Sequence, residues 1–127
     1  MYTISFDADR QVLHACVTGF WTAETMQCFA AEFMRERARL RAAGTRFGVL
    51  GDGMDFAVQS RETAEGLTRM VQVASGDGAV PLAVVAGSTL GKMQAERAMS
   101  APHVRVFGNR PDALDWLASA IASEPTP

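Results

Sequence analysis

The residues best able to do chemistry stand just after short apolar runs. Phe47-Gly48-Val49-Leu50 leads into Gly51-Asp52-Gly53, Leu82 to Ala86 into Gly87-Ser88-Thr89, and Val104 to Phe107 into Gly108-Asn109-Arg110. Asp52, where a strand meets a loop, can serve a metal, a ribose or a helix N-terminal amide. The plain alternative is a turn residue whose flanking glycines free the backbone. Ser88 and Thr89, with Lys92 one turn later, combine hydroxyls, free helix amides and an ammonium, the ingredients of a weak anion site. The same three residues also read as ordinary caps and a solvated lysine. Asn109 and Arg110 add a cap and a guanidinium to the same edge. Gly51-Asp52-Gly53 lacks the Gly-x-x-x-x-Gly-Lys-Ser/Thr spacing that wraps a triphosphate.

Met54, Phe56 and Val58 place three apolar side chains in the predicted loop Gly51 to Gln59, with Phe20 and Trp21 near the start of the first helix. Such a loop either folds over the core or is presented to a partner or ligand. His14 and His103 stand on strands without a Cys, Asp or Glu at metal-ligand spacing, so structural histidines are expected. Cys16 and Cys28 have no Cys-x-x-Cys spacing and signal neither zinc nor a redox pair. No Gly-x-Ser-x-Gly elbow is present. Arg35, Arg37, Arg39 and Arg41 spread around a helix end rather than forming one patch, where positive charge is favourable.

The elements that position these residues are legible from periodicity. Tyr2, Ile4 and Phe6 alternate with polar residues, Asp7 to Arg10 turn, and Gln11 to Thr18 alternates again, which predicts a hairpin. Thr22 caps a long helix whose face is Met26, Phe29, Ala30, Phe33, Arg37 and Leu40, with the Arg37 stem covering apolar surface and Gly44 as the stop. A second helix is expected over about Ser60 to Ala74, with Ser60 as cap and a stripe of Ala64, Leu67, Val71 and Ala74. Gly66 in its middle predicts a close packing contact. A third helix follows over about Leu90 to Ser100. The last starts near Asn109 to Pro111 and carries Leu114, Leu117 and Ile121 with Ala113 and Ala118 beside them.

The predicted order is β-β-α-β-α-β-α-β-α, a five-stranded mixed, mostly parallel α/β sheet with a leading hairpin and four helices. Right-handed crossovers between sequentially placed strands put the intervening helices on one face. Leu82 to Ala86 is apolar on both faces, so its second face needs a cover: the last helix, part of the first, or another subunit.

At 127 residues the chain suits a single domain over 1–122 with a flexible polar tail at 123–127. A net charge of −2 argues against a nucleic-acid partner. Two isolated cysteines point to a reducing cytoplasm, and no apolar run approaches the roughly 20 residues of a membrane helix. The N-terminus has neither the basic nor the apolar region of a signal peptide.

Three stretches resemble the SpoIIAA-like family, a branch of the STAS-type domains related to anti-sigma-factor antagonists. They are Val12 to Trp21 entering the first helix, Pro81 to Ala86 followed by Leu90-Gly91-Lys92-Met93-Gln94, and Val104 to Phe107 with Ala113-Leu114-Asp115-Trp116-Leu117. The resemblance implies an α/β STAS-like fold. In STAS switches a serine heading the helix after the third strand is phosphorylated, and Ser60 is the matching candidate. The Asp-Ser-Ser-Gly-like turn of those switches is absent here.

The expected function is a non-enzymatic cytoplasmic interaction or regulatory module. It would bind a protein partner through the 51–60 loop and the adjacent helix N-termini, with Trp21, Asp52, Met54, Phe56, Ser88, Thr89, Lys92 and Asn109 as binding residues. The alternative is a carrier or sensor of a small apolar or amphipathic ligand between that loop and the first helix. An enzyme using Asp52 with Ser88 or Lys92 is a third reading, for which no acid/base pair or nucleophile is signalled. No metal, cofactor, nucleic acid or integral membrane segment is expected, and a homodimer is left open.

Overall fold

The computed structural model describes residues 1–76 and 78–123. Nine elements follow in the predicted order: β1 (Tyr2–Asp7), β2 (Val12–Gly19), α1 (Ala23–Ala42), β3 (Gly48–Phe56), α2 (Arg61–Gly76), β4 (Leu82–Ala86), α3 (Thr89–Ala98), β5 (Val104–Phe107) and α4 (Arg110–Ala122). Ser123 is the C-cap of α4, and the rest of the expected tail lies outside the described residues, as does Asp77 in the expected stop of α2. The strands lie side by side in sequence order, β1 antiparallel to β2 and all later neighbours parallel.

The caps act as their chemistry requires. Thr22 accepts from the Thr25 amide, Ser88 from Gly91, Asn109 from Asp112, and Ser60 from Thr63. Each satisfies one of the amides a helix start leaves without an intrahelical partner. Gly44, at φ 70°, takes the left-handed conformation that ends α1.

Helices α1, α2 and α3 cover one face of the sheet. The core there joins Leu13, Ala15 and Val49 of the strands to Met26, Phe29, Phe33, Leu40 and Leu67 of the helices. The stripe of α2 is rotated from the predicted one, since Thr63, Gly66, Leu67 and Val71 are buried and Ala64 and Ala74 only half-buried. Gly66 explains the rotation. A Cβ there would meet Met26 Cγ at 2.7 Å, so the Met26 side chain of α1 packs directly on the bare backbone of α2.

The second face of β4 is covered by α4, which settles the choice the sequence left open. Ala113, Leu117 and Ile121 pack on Val12, Leu50, Ala83 and Val85. A Cβ on Gly48 would stand 3.0 Å from Leu117, so the helix rests directly on that bare backbone. The expected stripe of α4 is also rotated, with Leu114 half-buried and Ala118 exposed. On the hairpin the same face bears Thr3, Ser5, His14 and Cys16, residues polar enough to need no helical cover.

The largest departure from expectation is β3. The predicted loop from Gly51 to Gln59 is strand as far as Phe56, leaving only residues 57–60 as connection. Gly51, Asp52 and Gly53 look like breakers in isolation, but both neighbouring strands hydrogen-bond to this segment. A bare backbone suits a strand where neighbours come close, and a Cβ on Gly53 would lie 2.9 Å from the Val85 carbonyl oxygen. Cys16 pairs with Asp52 while Thr18 pairs with Asp55, so Gly53 and Met54 together oppose Val17 alone. This is a β-bulge, and it shifts the alternation of side chains along β3 by one.

Candidate functional site

The predicted site residues divide between the two faces of the sheet. Before the bulge, Asp52 faces α4. Its Oδ2 receives a hydrogen bond from Arg110 Nε in an ion pair, and its Oδ1 accepts from the Met54 amide at 3.3 Å. Asp52 is buried and the Arg110 side chain half-exposed. The carboxylate hydrogen bond, and then its charge, raise the Arg110 pKa above its ordinary value. Asp52 is therefore a strand residue that fastens the first turn of α4, not a turn residue at a loop mouth.

Met54 packs with Leu50, Val85 and α4, whereas Phe56, after the bulge, packs with Trp21 and the α1 core. Trp21 is 2% exposed, so it belongs to the core rather than to a presented surface. Its ring centroid lies 4.9 Å from Phe56, 5.0 Å from Phe29 and 5.8 Å from Tyr2, and its indole N–H donates to the Thr18 carbonyl at 3.0 Å. The proposed apolar loop cluster is thereby dispersed, Met54 to one core, Phe56 to the other and Val58 to solvent.

Ser88, Thr89 and Lys92 are exposed on α3, on the face opposite α4, and Asn109 is exposed as the α4 cap. The corners share an edge but their helices leave it on different sides. Among the described residues no group of three or more His, Cys, Asp or Glu converges as a metal site. Ser60 is half-buried, and its hydroxyl accepts from the Thr63 amide at 3.2 Å and bonds to the Thr63 hydroxyl at 3.2 Å.

What sequence reasoning missed is Gln59. Its side chain is buried and fully engaged. Oε1 accepts from the Trp21 amide at 2.8 Å, and Nε2 donates to the Gly19 carbonyl at 2.8 Å and the Ala57 carbonyl at 2.6 Å. Gln94 of α3 closes the arrangement, accepting from the Gln59 amide at 2.7 Å and donating to its carbonyl at 2.9 Å. Two glutamines thus tie the connections after β2 and β3 to α3. Nothing in the local pattern marks a glutamine four residues before Thr63 as different from any loop polar residue.

Beneath this tie lies a cavity of about 100 Å³ between the sheet and α1, α2 and α3. Leu82, Val84 and Ala86 all line it, so it runs the length of β4, about 13 Å at the rise of a strand. Its described lining is apolar or glycine except for Arg37, Gln94 and His103. The space exists because small residues face it: Gly51 and Gly53 from the strand, and Gly91, Ala95 and Ala98 from α3. That i, i+4, i+7 run of small residues was the legible signal for it. None of Asp52, Ser88, Thr89, Lys92 and Asn109 lines the cavity.

Arg37 stands at the end of the cavity nearer the start of β4. It is 1% exposed, so its whole side chain is buried, where a stem lying over apolar surface with a wet head was expected. Its guanidinium donates to the Ala74 carbonyl at 2.8 Å and to that of Gly78, holding the end of α2. His103 is half-buried beside it, its Nε2 3.4 Å from the Ser75 hydroxyl. Burial first, and then the Arg37 charge, lower the His103 pKa below its ordinary 6.5.

Among the described residues no helix is long and apolar enough to cross a membrane. No protein-family model matches the chain, and no curated protein sequence matches it.

Proposed function

We propose that this domain is a carrier or sensor of a small apolar or amphipathic ligand, held between the sheet and α1, α2 and α3. The observation that carries the reading is the dry-walled cavity of about 100 Å³. Apolar cavities of about 150 Å³ stay empty of water and take up benzene or xenon. An unfilled space of 100 Å³ costs roughly 2 kcal/mol at the ~24 cal/mol per Å³ found for cavities in cores. A ligand that fills it recovers that loss and adds its own transfer from water.

The wider setting is part of the same proposal. The element order and the three resembling stretches support kinship with the SpoIIAA-like, STAS-type domains, and the two free thiols of Cys16 and Cys28 support a cytoplasmic location. Native mass spectrometry of the purified protein tests the reading, together with thermal melts in the presence of benzene and 1-hexanol. A bound small molecule, or a probe-dependent rise in melting temperature that Gly51→Val removes, supports it; a clean apo mass with no probe response discards it.

Docking of a protein partner is the second reading, now resting on different residues. Phe20, Val58, Leu90 and Met93 are exposed at 64%, 45%, 67% and 52%. All four come from segments at the carboxyl edge of the parallel strands, which the Gln59–Gln94 tie holds together. A Phe20→Ser/Leu90→Ser variant that folds normally and still captures every partner of the parent would remove this reading.

A further inference from the structure

The cavity meets a second concavity at the edge opposite the predicted binding loop. An outer groove is lined by residues at the end of α2 and in the α3–β5 connection, and it shares Val71, Ala79 and His103 with the cavity wall. Its polar side chains are Gln72, Ser75, Ser100 and His103. Among the described residues no Lys, Arg, Asp or Glu lines it. At the other end of the cavity the two glutamines close four hydrogen bonds within the Gln59–Gln94 pair and on to Gly19 and Ala57, so the chain there is held together.

We infer that the ligand is an amphiphile with one narrow apolar tail and an uncharged oxygen head, the tail lying along β4 in the cavity and the head resting in the outer groove on His103 and Ser75. The inference rests on the proposed reading of the cavity as a ligand site and adds its direction of loading and its head-group chemistry. The length of the space, that of β4, selects an unbranched tail over a wide ring system. The Ser75 hydroxyl donates to the Val71 carbonyl at 2.7 Å and so offers its oxygen as an acceptor, beside the imidazole of His103, which suits a hydroxyl head. A carboxylate or ammonium head would leave water without an opposite charge among the described residues of the groove lining. Arg37 lies outside the groove lining, at the end of the cavity, where its guanidinium donates to the Ala74 and Gly78 carbonyls.

The test uses four probes of equal tail length on the full chain at pH 7.5: hexane, 1-hexanol, hexanoate and hexylammonium, with affinity read from amide chemical-shift titrations. Hexanol is expected to bind about five- to tenfold more tightly than hexane, the worth of one net hydrogen bond, and both charged probes more weakly than hexanol. His103→Phe combined with Ser75→Ala keeps the groove filled and removes both proposed partners of the head group. It should erase the preference of hexanol over hexane while hexane still binds. Equal binding of hexane and hexanol to the parent, tightest binding of hexanoate, or a preference that survives the double substitution overturns the inference and leaves the cavity reading standing. If none of the four binds, the cavity reading itself falls, and the head-group assignment with it.

Discussion

Gly51 and Gly53 flank Asp52 and both line the cavity, yet replacing each by alanine should have opposite effects. A Cβ on Gly51 would find its nearest neighbours at 3.8 and 3.9 Å, ordinary contact distances, and the residue has no positive φ to be strained. Gly51→Ala therefore adds a methyl to existing empty space. The methyl contributes about 0.8 kcal/mol, and loss of unfolded-chain entropy about 0.4–1 kcal/mol. The sum is stabilisation of about 1–2 kcal/mol. With an unfolding entropy of about 2.1 cal/mol/K per residue, that raises the melting temperature by roughly 4–7 °C. On Gly53 the same methyl would stand 2.9 Å from the Val85 carbonyl oxygen and 3.3 Å from Phe56 Cβ, and backbone cannot swing aside. Overpacking of that kind costs about 1–3 kcal/mol, so Gly53→Ala should melt several degrees lower. Calorimetry and urea titration, with unchanged m-values, measure both. Gly51→Ala should also bind 1-hexanol more weakly, because it occupies the tail's space. Two shifts of the same sign, or a destabilised Gly51→Ala, would refute the assignment of Gly51 to open cavity and Gly53 to a close strand contact.

Further outcomes follow from the buried polar groups. Gln59→Glu keeps the shape and the acceptor for Trp21 but sets a carboxylate against the Gly19 and Ala57 carbonyls. A loss of about 2–4 kcal/mol at neutral pH is expected by urea denaturation, partly regained in acid when the carboxyl can donate; a neutral result would mean the tie carries no energy. Arg37→Met retains the stem and removes the donors to Ala74 and Gly78. It should cost about 2–4 kcal/mol, and hydrogen exchange should quicken at the end of α2; no loss would show that burying the charge cancels its bonds. His103 has its folded pKa lowered from 6.5 by burial and by Arg37, so the unfolded chain takes up the proton first. Its contribution is whole above pH 6.5 and declines as the pH falls from there towards the folded value. His103→Gln should flatten that part of the stability–pH curve relative to the parent.

Most of the architecture could be read from periodicity because β4, β5 and the helices carry unbroken apolar spacing between clear caps. The failure at β3 has a local cause. Glycine and aspartate are poor strand formers when judged by propensity, but a central strand is selected by what its neighbours leave room for, and that is a tertiary fact. The same limit applies to the site. Met54, Phe56 and Val58 looked like one cluster because spacing alone cannot reveal an unpaired residue between the first two. Trp21 beside Phe20 gave no hint that one would be buried and the other exposed. Arg37 fell on the apolar face of α1 in the sequence, and its depth became visible only with the Ala74 and Gly78 carbonyls that receive it. The cavity was written in the small residues of α3, which read equally well as ordinary helix formers until the facing glycines of β3 are set opposite them.

The extra residue in β3 makes that strand a register marker for the whole sheet. Upstream of it the even-numbered side chains Leu50 and Asp52 belong to α4; downstream the even-numbered Phe56 belongs to α1. Deleting Met54 would remove the extra residue while leaving Asp52 opposite Cys16 and Phe56 opposite Gly19, each on the face it already occupies, so that the α4 core loses the Met54 side chain and the Trp21 ring keeps its 4.9 Å neighbour. The bulge thus gives the α4 core one more apolar side chain without moving either the carboxylate that anchors α4 or the aromatic ring that packs on Trp21.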